Sequence, residues 1–249
     1  MQINQLFGLA GSAVENRYAL IRPGGVAPSA LPGWDKALCH VVISPALGAR
    51  FAQLLVNFQA DGLGQGNTGR NEYLVYVLEG AASLLLEDRR HRLEAGGYAY
   101  IAPGKDVQFK PSGPTARLWI LQKQYLPLAG APAPACLVAH ERDAKALPSP
   151  DNPGLRLQPL LPLHPAFDLA LNLLTFQPGA GLPTVATPIM ERGWMLLRGE
   201  GLFRLDAQWL PAQAGDAVWT ASYCPHWFVA VGPSPATWLC YEDVNRDPI

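Results

Sequence analysis

The residues with the most chemical potential lie close together near the end of the chain. Cys224 and His226 are two residues apart, so on a β-strand their side chains share a face. A thiol beside an imidazole can act as a nucleophile or bind a metal ion. Without a third group to orient the histidine, packing in a core is the alternative interpretation. Glu191 and Arg192 place a carboxylate next to a permanent cation.

The other histidines form no comparable group. They are separated in the chain and lack the spacing of metal ligands. We therefore expect each to lie at the surface or to make a local hydrogen bond. These residues are His40, His91, His140 and His164.

The composition narrows the classes of function. Of the 249 residues, 49% are hydrophobic and 16% are charged, with a net charge of −1. Such a chain has no basic field to attract nucleic acid or an anionic membrane. The four cysteines form no C-x-x-C pair, and the first ten residues do not resemble a signal peptide. We expect a cytoplasmic protein with reduced thiols.

Short strands and tight turns must position these residues. Gly and Pro number 24 each and are scattered through the chain, a distribution that long helices do not tolerate. Apolar residues tend to alternate, and turn signals recur roughly every eight to twelve residues, as in all-β folds. The pattern predicts an all-β barrel or sandwich.

The second half of the chain repeats the first. Gly80 falls on Gly199 at an offset of 119 residues, and this offset holds without a gap for about forty residues. Turn glycines and apolar positions coincide, as when Phe109 falls on Phe228. These are the positions that set register and fill the core of a repeated barrel.

The repeat predicts two domains. The first spans 1–145 and comprises an N-terminal barrel with its extension and linker. The second is a C-terminal barrel at 146–249. The Pro- and Ala-rich stretch 129–153 has the composition of a linker, with one short helical turn near 140–146.

Several segments resemble those of the cupins. Gly199-Glu200-Gly201 and Ala214-Gly215-Asp216 resemble the two characteristic cupin motifs. More specifically, the chain resembles the bicupin (S)-ureidoglycine aminohydrolases, which release ammonia in the allantoin branch of purine breakdown. The segments that carry this resemblance are Leu31-Pro32-Gly33-Trp34, Gly96-Gly97-Tyr98, Pro103-Gly104, Tyr125-Leu126-Pro127, Phe176-Gln177-Pro178-Gly179-Ala180 and Asp243-Val244-Asn245-Arg246-Asp247-Pro248.

The resemblance implies a fold and a metal site. The fold is two tandem cupin barrels, each a double-stranded β-helix or jelly roll. The site is a manganese centre in the second barrel, formed by a Glu-x-His-x3-His group and a glutamine from a later strand. Counted back from Gly199, the three grouped ligands fall on Ala186, Pro188 and Arg192, and the glutamine falls on His226.

These four residues do not suit manganese. Ala186 and Pro188 offer no side-chain donor, and Arg192 is a permanent cation. Two like unit charges 4 Å apart cost about 4 kcal/mol at an effective dielectric near 20, and a dication beside Arg192 would face roughly twice that. Three of the four ligands are absent, so we expect no metal cofactor here. His226 alone retains a donor, and Glu191 would add one if its strand bulged inward.

Other family residues are replaced as well. A tyrosine thought to contact substrate corresponds to Phe203, and a lysine near the C-terminus corresponds to Glu242. In the first barrel, the four ligand positions hold Asn67, Gly69, Tyr73 and Val107, so that half has the character of a structural domain. The candidate pocket residues are Glu191, Arg192, Phe203, Cys224, His226, Trp238 and Glu242.

Three hypotheses of function remain open. The first is ammonia-releasing hydrolysis of a small ureido acid, which the resemblance favours and the absent ligands oppose. The second is a catalytically degenerate, metal-free cupin that binds a small carboxylate through Arg192, unless Glu191 or Glu242 neutralises it internally. The third is metal-independent catalysis, with His226 as acid or base and Arg192 as anion clamp. From the family and the low charge content we also expect a homodimer or higher homo-oligomer.

Overall fold

The computed structural model describes residues 11–246, which are almost entirely β-structure. The first strands in chain order are β1 (Ala13–Val14), β2 (Tyr18–Ile21), β3 (Trp34–Ile43), β4 (Phe51–Asn67), β5 (Asn71–Leu86), β6 (Arg89–Glu94), β7 (Gly97–Ile101), β8 (Asp106–Gln124) and β9 (Leu137–His140). The later strands are β10 (Leu147–Pro148), β11 (Leu155–Pro159), β12 (Leu169–Phe176), β13 (Arg192–Arg198), β14 (Glu200–Leu205), β15 (Gln208–Gln213), β16 (Ala217–Thr220), β17 (His226–Ala230) and β18 (Ala236–Asp243). The prediction of an all-β chain is confirmed.

Helical structure in the described residues is limited to three short 3-10 turns. They lie at Pro23–Gly25, Pro45–Leu47 and Glu141–Asp143. The last coincides with the helical turn predicted near 140–146. Within residues 11–246, no helix is long and apolar enough to cross a membrane. The predicted absence of a leader at 1–10, and Asp247 and Pro248 of the last family segment, lie outside the described residues.

The described chain divides into two compact units. One contains residues 26–44 and 50–143, and its strands form a seven-stranded antiparallel sheet in the order β3-β4-β8-β5-β7-β9, with β6 paired to β5. The other contains 11–25, 45–49 and 144–246. Its strands form an eight-stranded sheet, β1-β2-β16-β13-β18-β12-β11-β10, and a three-stranded sheet, β15-β14-β17. We call these units the N-terminal and C-terminal barrels.

The start of the described chain belongs to the C-terminal barrel. Strand β2 pairs with β16, so that Leu20 lies opposite Val218. The sequence-based prediction places this extension in the first domain, at 1–145. The predicted linker also contains short strands, since β9 pairs with β7 and β10 pairs with β11. The boundary between 145 and 146 stays a prediction.

The repeat is visible in the strands themselves. The bounds of β6 and β15 differ by the predicted 119 residues at both ends, and Gly80 and Gly199 adopt φ angles of 72° and 79°. This left-handed conformation favours glycine, because a Cβ atom is strained there. Each barrel has its own buried apolar cluster, and Phe109 and Phe228 occupy equivalent places in the two.

Candidate functional site

Strand pairing brings three of the candidate residues together in the C-terminal barrel. Arg192 is the first residue of β13 and lies opposite Glu242 of β18. His226 is the first residue of β17, and its backbone exchanges two hydrogen bonds with Ala186, at 2.8 and 2.9 Å. The side chains then converge, because Arg192 contacts both Glu242 and His226. We call Arg192, His226 and Glu242 the polar cluster.

Arg192 is neutralised within the polar cluster. Its Nη2 lies 3.0 Å from Oε2 of Glu242, and the two side chains are 19% and 29% exposed. Its guanidinium carbon lies 5.9 Å from the centre of the Trp194 ring, a cation-π distance. The sequence offered this ion pair as one alternative, and the structure forms it. The Nε atom of Arg192 is buried and has no hydrogen-bond partner among the described residues.

His226 is buried and held in one tautomer. Its Nδ1 lies 3.1 Å from the carbonyl oxygen of Cys224, which can only accept, so Nδ1 carries the proton. Its Nε2 therefore accepts a hydrogen bond from Nη1 of Arg192, at 3.3 Å. Burial, and secondarily the charge of Arg192, lower the pKa of His226 to about 4. The imidazole is neutral at pH 7 and presents a lone pair to the guanidinium.

Glu191 does not join the polar cluster. Its side chain is buried, and Oε1 accepts a hydrogen bond of 2.6 Å from Nε1 of Trp219. Neighbouring residues of a strand point to opposite faces, and no bulge interrupts β13 at Arg192. The inward bulge that would have made Glu191 a metal ligand is therefore absent.

Cys224 and His226 do not form a thiol–imidazole pair. Strand β17 begins at His226, so Cys224 precedes the strand instead of sharing its face. The imidazole binds the backbone carbonyl of Cys224, while the thiol makes a weak contact of 3.8 Å with the carbonyl of Pro225. Burial raises the pKa of the Cys224 thiol, which keeps it protonated. Packing, the alternative interpretation, describes this cysteine.

Aromatic rings fill the barrel beneath the polar cluster. Phe203 and Trp238 are fully buried, with ring centres 5.3 Å apart. Trp194 contacts both and also the ring of His226, at 5.6 Å. Sequence reasoning did not single out Trp194, although it lies two residues after Arg192 and so must share its face of β13. The predicted pocket wall is thus a packed aromatic core.

The described residues do not fit a manganese ion. Among residues 11–246 there is no group of three or more His, Cys, Asp or Glu side chains that could hold a metal. Ala186 lies opposite His226 as the resemblance required, but it has no donor atom. Arg192 already occupies the lone pair of His226. The polar cluster can instead orient an anion through the guanidinium of Arg192.

Comparisons with known proteins agree with this architecture. The pattern of the Cupin domain family matches residues 172–242, which include the polar cluster. Oxalate decarboxylase from Bacillus subtilis has a similar fold, with a TM-score of 0.72 at 12% identity over 95% of this chain and 79% of that one. The chain is a cupin protein with two barrels.

Nearer relatives define its family. A protein of rice named "Probable (S)-ureidoglycine aminohydrolase" is 32% identical over 99% of this chain and 79% of its own length. The (S)-ureidoglycine aminohydrolase of Arabidopsis thaliana is 30% identical over 99% and 82%. The crystal structure of the Escherichia coli protein Ylba superposes with a TM-score of 0.88, at 26% identity over the whole of both chains. The chain belongs to the (S)-ureidoglycine aminohydrolase family.

Proposed function

We propose that this chain hydrolyses a small ureido acid with release of ammonia, and that the substrate binds at the polar cluster of the C-terminal barrel. The observation that carries the proposal is the relationship over nearly the whole chain to three proteins named as (S)-ureidoglycine aminohydrolases. Each relative takes its name from a small substrate, which is the class of ligand that one barrel can enclose.

The polar cluster supports two roles in such a reaction. The guanidinium of Arg192 would hold the substrate carboxylate, since its buried Nε lacks an acceptor among the described residues. His226 would accept a hydrogen bond or proton at Nε2 once the substrate displaces Arg192 from it. The residues at the family's manganese positions supply no ligand set, so we assign no step to a metal.

Ammonia release tests this proposal directly. Purified protein is incubated with (S)-ureidoglycine, with excess Mn²⁺ or with a chelator, and ammonia is measured against the uncatalysed rate. We expect turnover that survives the chelator and falls by about a hundredfold or more in Arg192→Ala and in His226→Ala. Turnover that requires Mn²⁺ would contradict the metal-free assignment, and no turnover under any condition would reject the activity.

A second candidate is a metal-free cupin that binds a small carboxylate without turnover. The buried Nε atom of Arg192 favours it, because this donor has no acceptor among the described residues, whereas the ion pair of Arg192 with Glu242 opposes it. Screening of small carboxylates by thermal stabilisation tests this candidate. A stabilising compound should lose its effect in Arg192→Ala. Stabilisation without ammonia release would select binding over hydrolysis.

Metal content is an independent check on both candidates. We expect protein purified after incubation with excess Mn²⁺ and dialysis to contain far less than one manganese per chain, because one imidazole beside a cation is not a manganese site. Mass spectrometry of the dialysed protein measures this. A near-stoichiometric content would overturn the ligand assignment and restore the manganese chemistry of the family.

The remaining assignments rest on composition and resemblance. A homodimer or higher homo-oligomer, a cytoplasmic location and a domain boundary between 145 and 146 stay proposals. Size-exclusion chromatography with light scattering, cell fractionation and limited proteolysis test them in turn.

A further inference from the structure

The three-stranded sheet of the C-terminal barrel carries apolar side chains on its solvent side. We define the outer face as the side chains of β14, β15 and β17 that point away from the buried cluster. A central row, in register across the three strands, is formed by Pro211, Leu202 and Val229. The next row along is formed by Trp209, Arg204 and Trp227.

This outer face is partly open to solvent although it is rich in tryptophan, and Trp227 is half-buried, with its Nε1 donating a hydrogen bond to the carbonyl oxygen of Leu182. Trp209 is 52% exposed and Leu202 is 36% exposed. The Trp209 and Trp227 rings meet edge to face at 5.7 Å, and the guanidinium carbon of Arg204 lies 5.9 Å from the Trp209 ring centre. Tryptophan and arginine held in a fixed arrangement are the side chains most enriched at the centres of protein interfaces.

The N-terminal barrel shows that the fold does not require this apolar face. Its strands β6, β5 and β8 pair in the same register, so each residue of the outer face has an equivalent 119 residues earlier. Arg92, Ser83 and Lys110 replace the central row, and Arg90, Leu85 and Gln108 replace the second row. That face has the polar character expected of a surface in water. The apolar character of the second face is therefore a property of this barrel alone.

Charges on the outer face are arranged symmetrically about its centre. Glu200 and Arg204 lie two residues before and two residues after Leu202 on β14, and all three point to the same side. Consider a two-fold axis that lies parallel to the outer face and crosses the strands at Leu202. It reverses the strand direction and so brings Glu200 of one copy opposite Arg204 of the other. A two-fold axis along the strands would instead place Arg204 against Arg204, which is repulsive.

We propose that the outer face is a self-association surface, on which a second copy of this chain packs antiparallel about a two-fold axis at Leu202. Such an interface is self-complementary, because the same patch serves both copies. Leu202 meets its own equivalent at the centre, and two Glu200–Arg204 pairs form at the sides. The inference is independent of the proposed function, since it uses no residue of the polar cluster.

Charge reversal tests both the surface and its symmetry. Sedimentation velocity over a range of concentrations gives the dissociation constant of the oligomer for the full chain. We expect the dissociation constant to rise by about tenfold or more in each of the variants Leu202→Glu, Glu200→Arg and Arg204→Glu. The double variant Glu200→Arg with Arg204→Glu should return most of the affinity, because the reversed charges again face each other.

A matched control is available in the N-terminal barrel. Ser83→Glu introduces the same charge at the position equivalent to Leu202, and we expect it to leave association unchanged. Circular dichroism verifies that each variant folds, and Leu202→Ser replaces Leu202→Glu if the charged variant does not. A wild-type chain that is monomeric at every concentration, or association that Leu202→Ser leaves intact, would overturn the proposal. A double variant as weak as the single ones would overturn the antiparallel arrangement.

Discussion

The two barrels share a strand register but differ in what they enclose. At the end of the C-terminal barrel, Arg192 pairs with Glu242 and contacts His226. The equivalent strands of the N-terminal barrel pair Tyr73 with Gln122, and Val107 stands in the place of His226. At these positions the C-terminal barrel thus has a charged cluster that is neutralised internally, whereas the N-terminal barrel has uncharged side chains.

The interior side chains packed beneath these positions also differ between the two barrels. In the C-terminal barrel they contain Trp194, Phe203 and Trp238, whereas the equivalent residues of the N-terminal barrel are Val75, Leu84 and Leu118. Backbone pairing and turn glycines fix the register in both, and they leave interior side chains free to vary in volume and polarity. A shared fold therefore does not imply a shared site, and each barrel has to be judged by its own residues.

Exchanging interior residues between the barrels should have the largest effect on the stability of the protein. Trp238→Leu places the residue of the N-terminal barrel in the C-terminal one. We expect it to lower the free energy of unfolding by about 3 kcal/mol or more, because Trp194, Phe203 and Phe228 lose a packed neighbour. Urea denaturation followed by circular dichroism measures this. Leu118→Met, which nearly conserves volume, is the control, with an expected cost below about 1.5 kcal/mol. An unchanged stability for Trp238→Leu would mean that the aromatic core is not tightly packed.

His226 should give the C-terminal barrel a dependence on pH that Val107 cannot give the N-terminal one. Its folded pKa of about 4 lies below the ordinary value of 6.5, so the unfolded chain takes up the proton first. The contribution of neutral His226 to the free energy of unfolding is therefore fully present above pH 6.5 and is lost as the pH falls towards 4. The loss is on the order of 3 kcal/mol.

The measurement is urea denaturation at a series of pH values between 7 and 4. His226→Gln should flatten the decline in stability over this range, since glutamine does not titrate there. His164→Gln, which changes an exposed histidine, serves as the control. An equally steep decline in His226→Gln would assign the pH dependence to other groups.

The ion pair of the polar cluster should contribute least to the stability of the protein. Because Arg192 and Glu242 are both partly exposed, solvent screens their attraction. A double-mutant cycle with Arg192→Gln and Glu242→Gln should give a coupling energy of about 1 kcal/mol or less, which decreases as salt is added. A coupling of several kcal/mol would indicate that the pair is far less hydrated than its exposure suggests.

Much of the fold could be predicted from the sequence because it depends on local chemistry. Scattered Gly and Pro, alternating apolar residues and a repeat of 119 residues indicate short strands, tight turns and duplication. The resemblance to the family located two members of the polar cluster, since its ligand positions, counted from Gly199, fall on Arg192 and His226. The absence of donors at Ala186 and Pro188 also follows from residue type alone.

Only the tertiary structure decided which of these residues contact one another. The direction of Glu191, the partner of Arg192 and the tautomer of His226 depend on strands that are distant in sequence. The extension at 11–25 joins the C-terminal barrel because β2 pairs with β16, a contact that no local pattern encodes. Sequence specifies which side chains alternate along a strand, but long-range strand pairing determines which charges meet and which faces remain open to solvent.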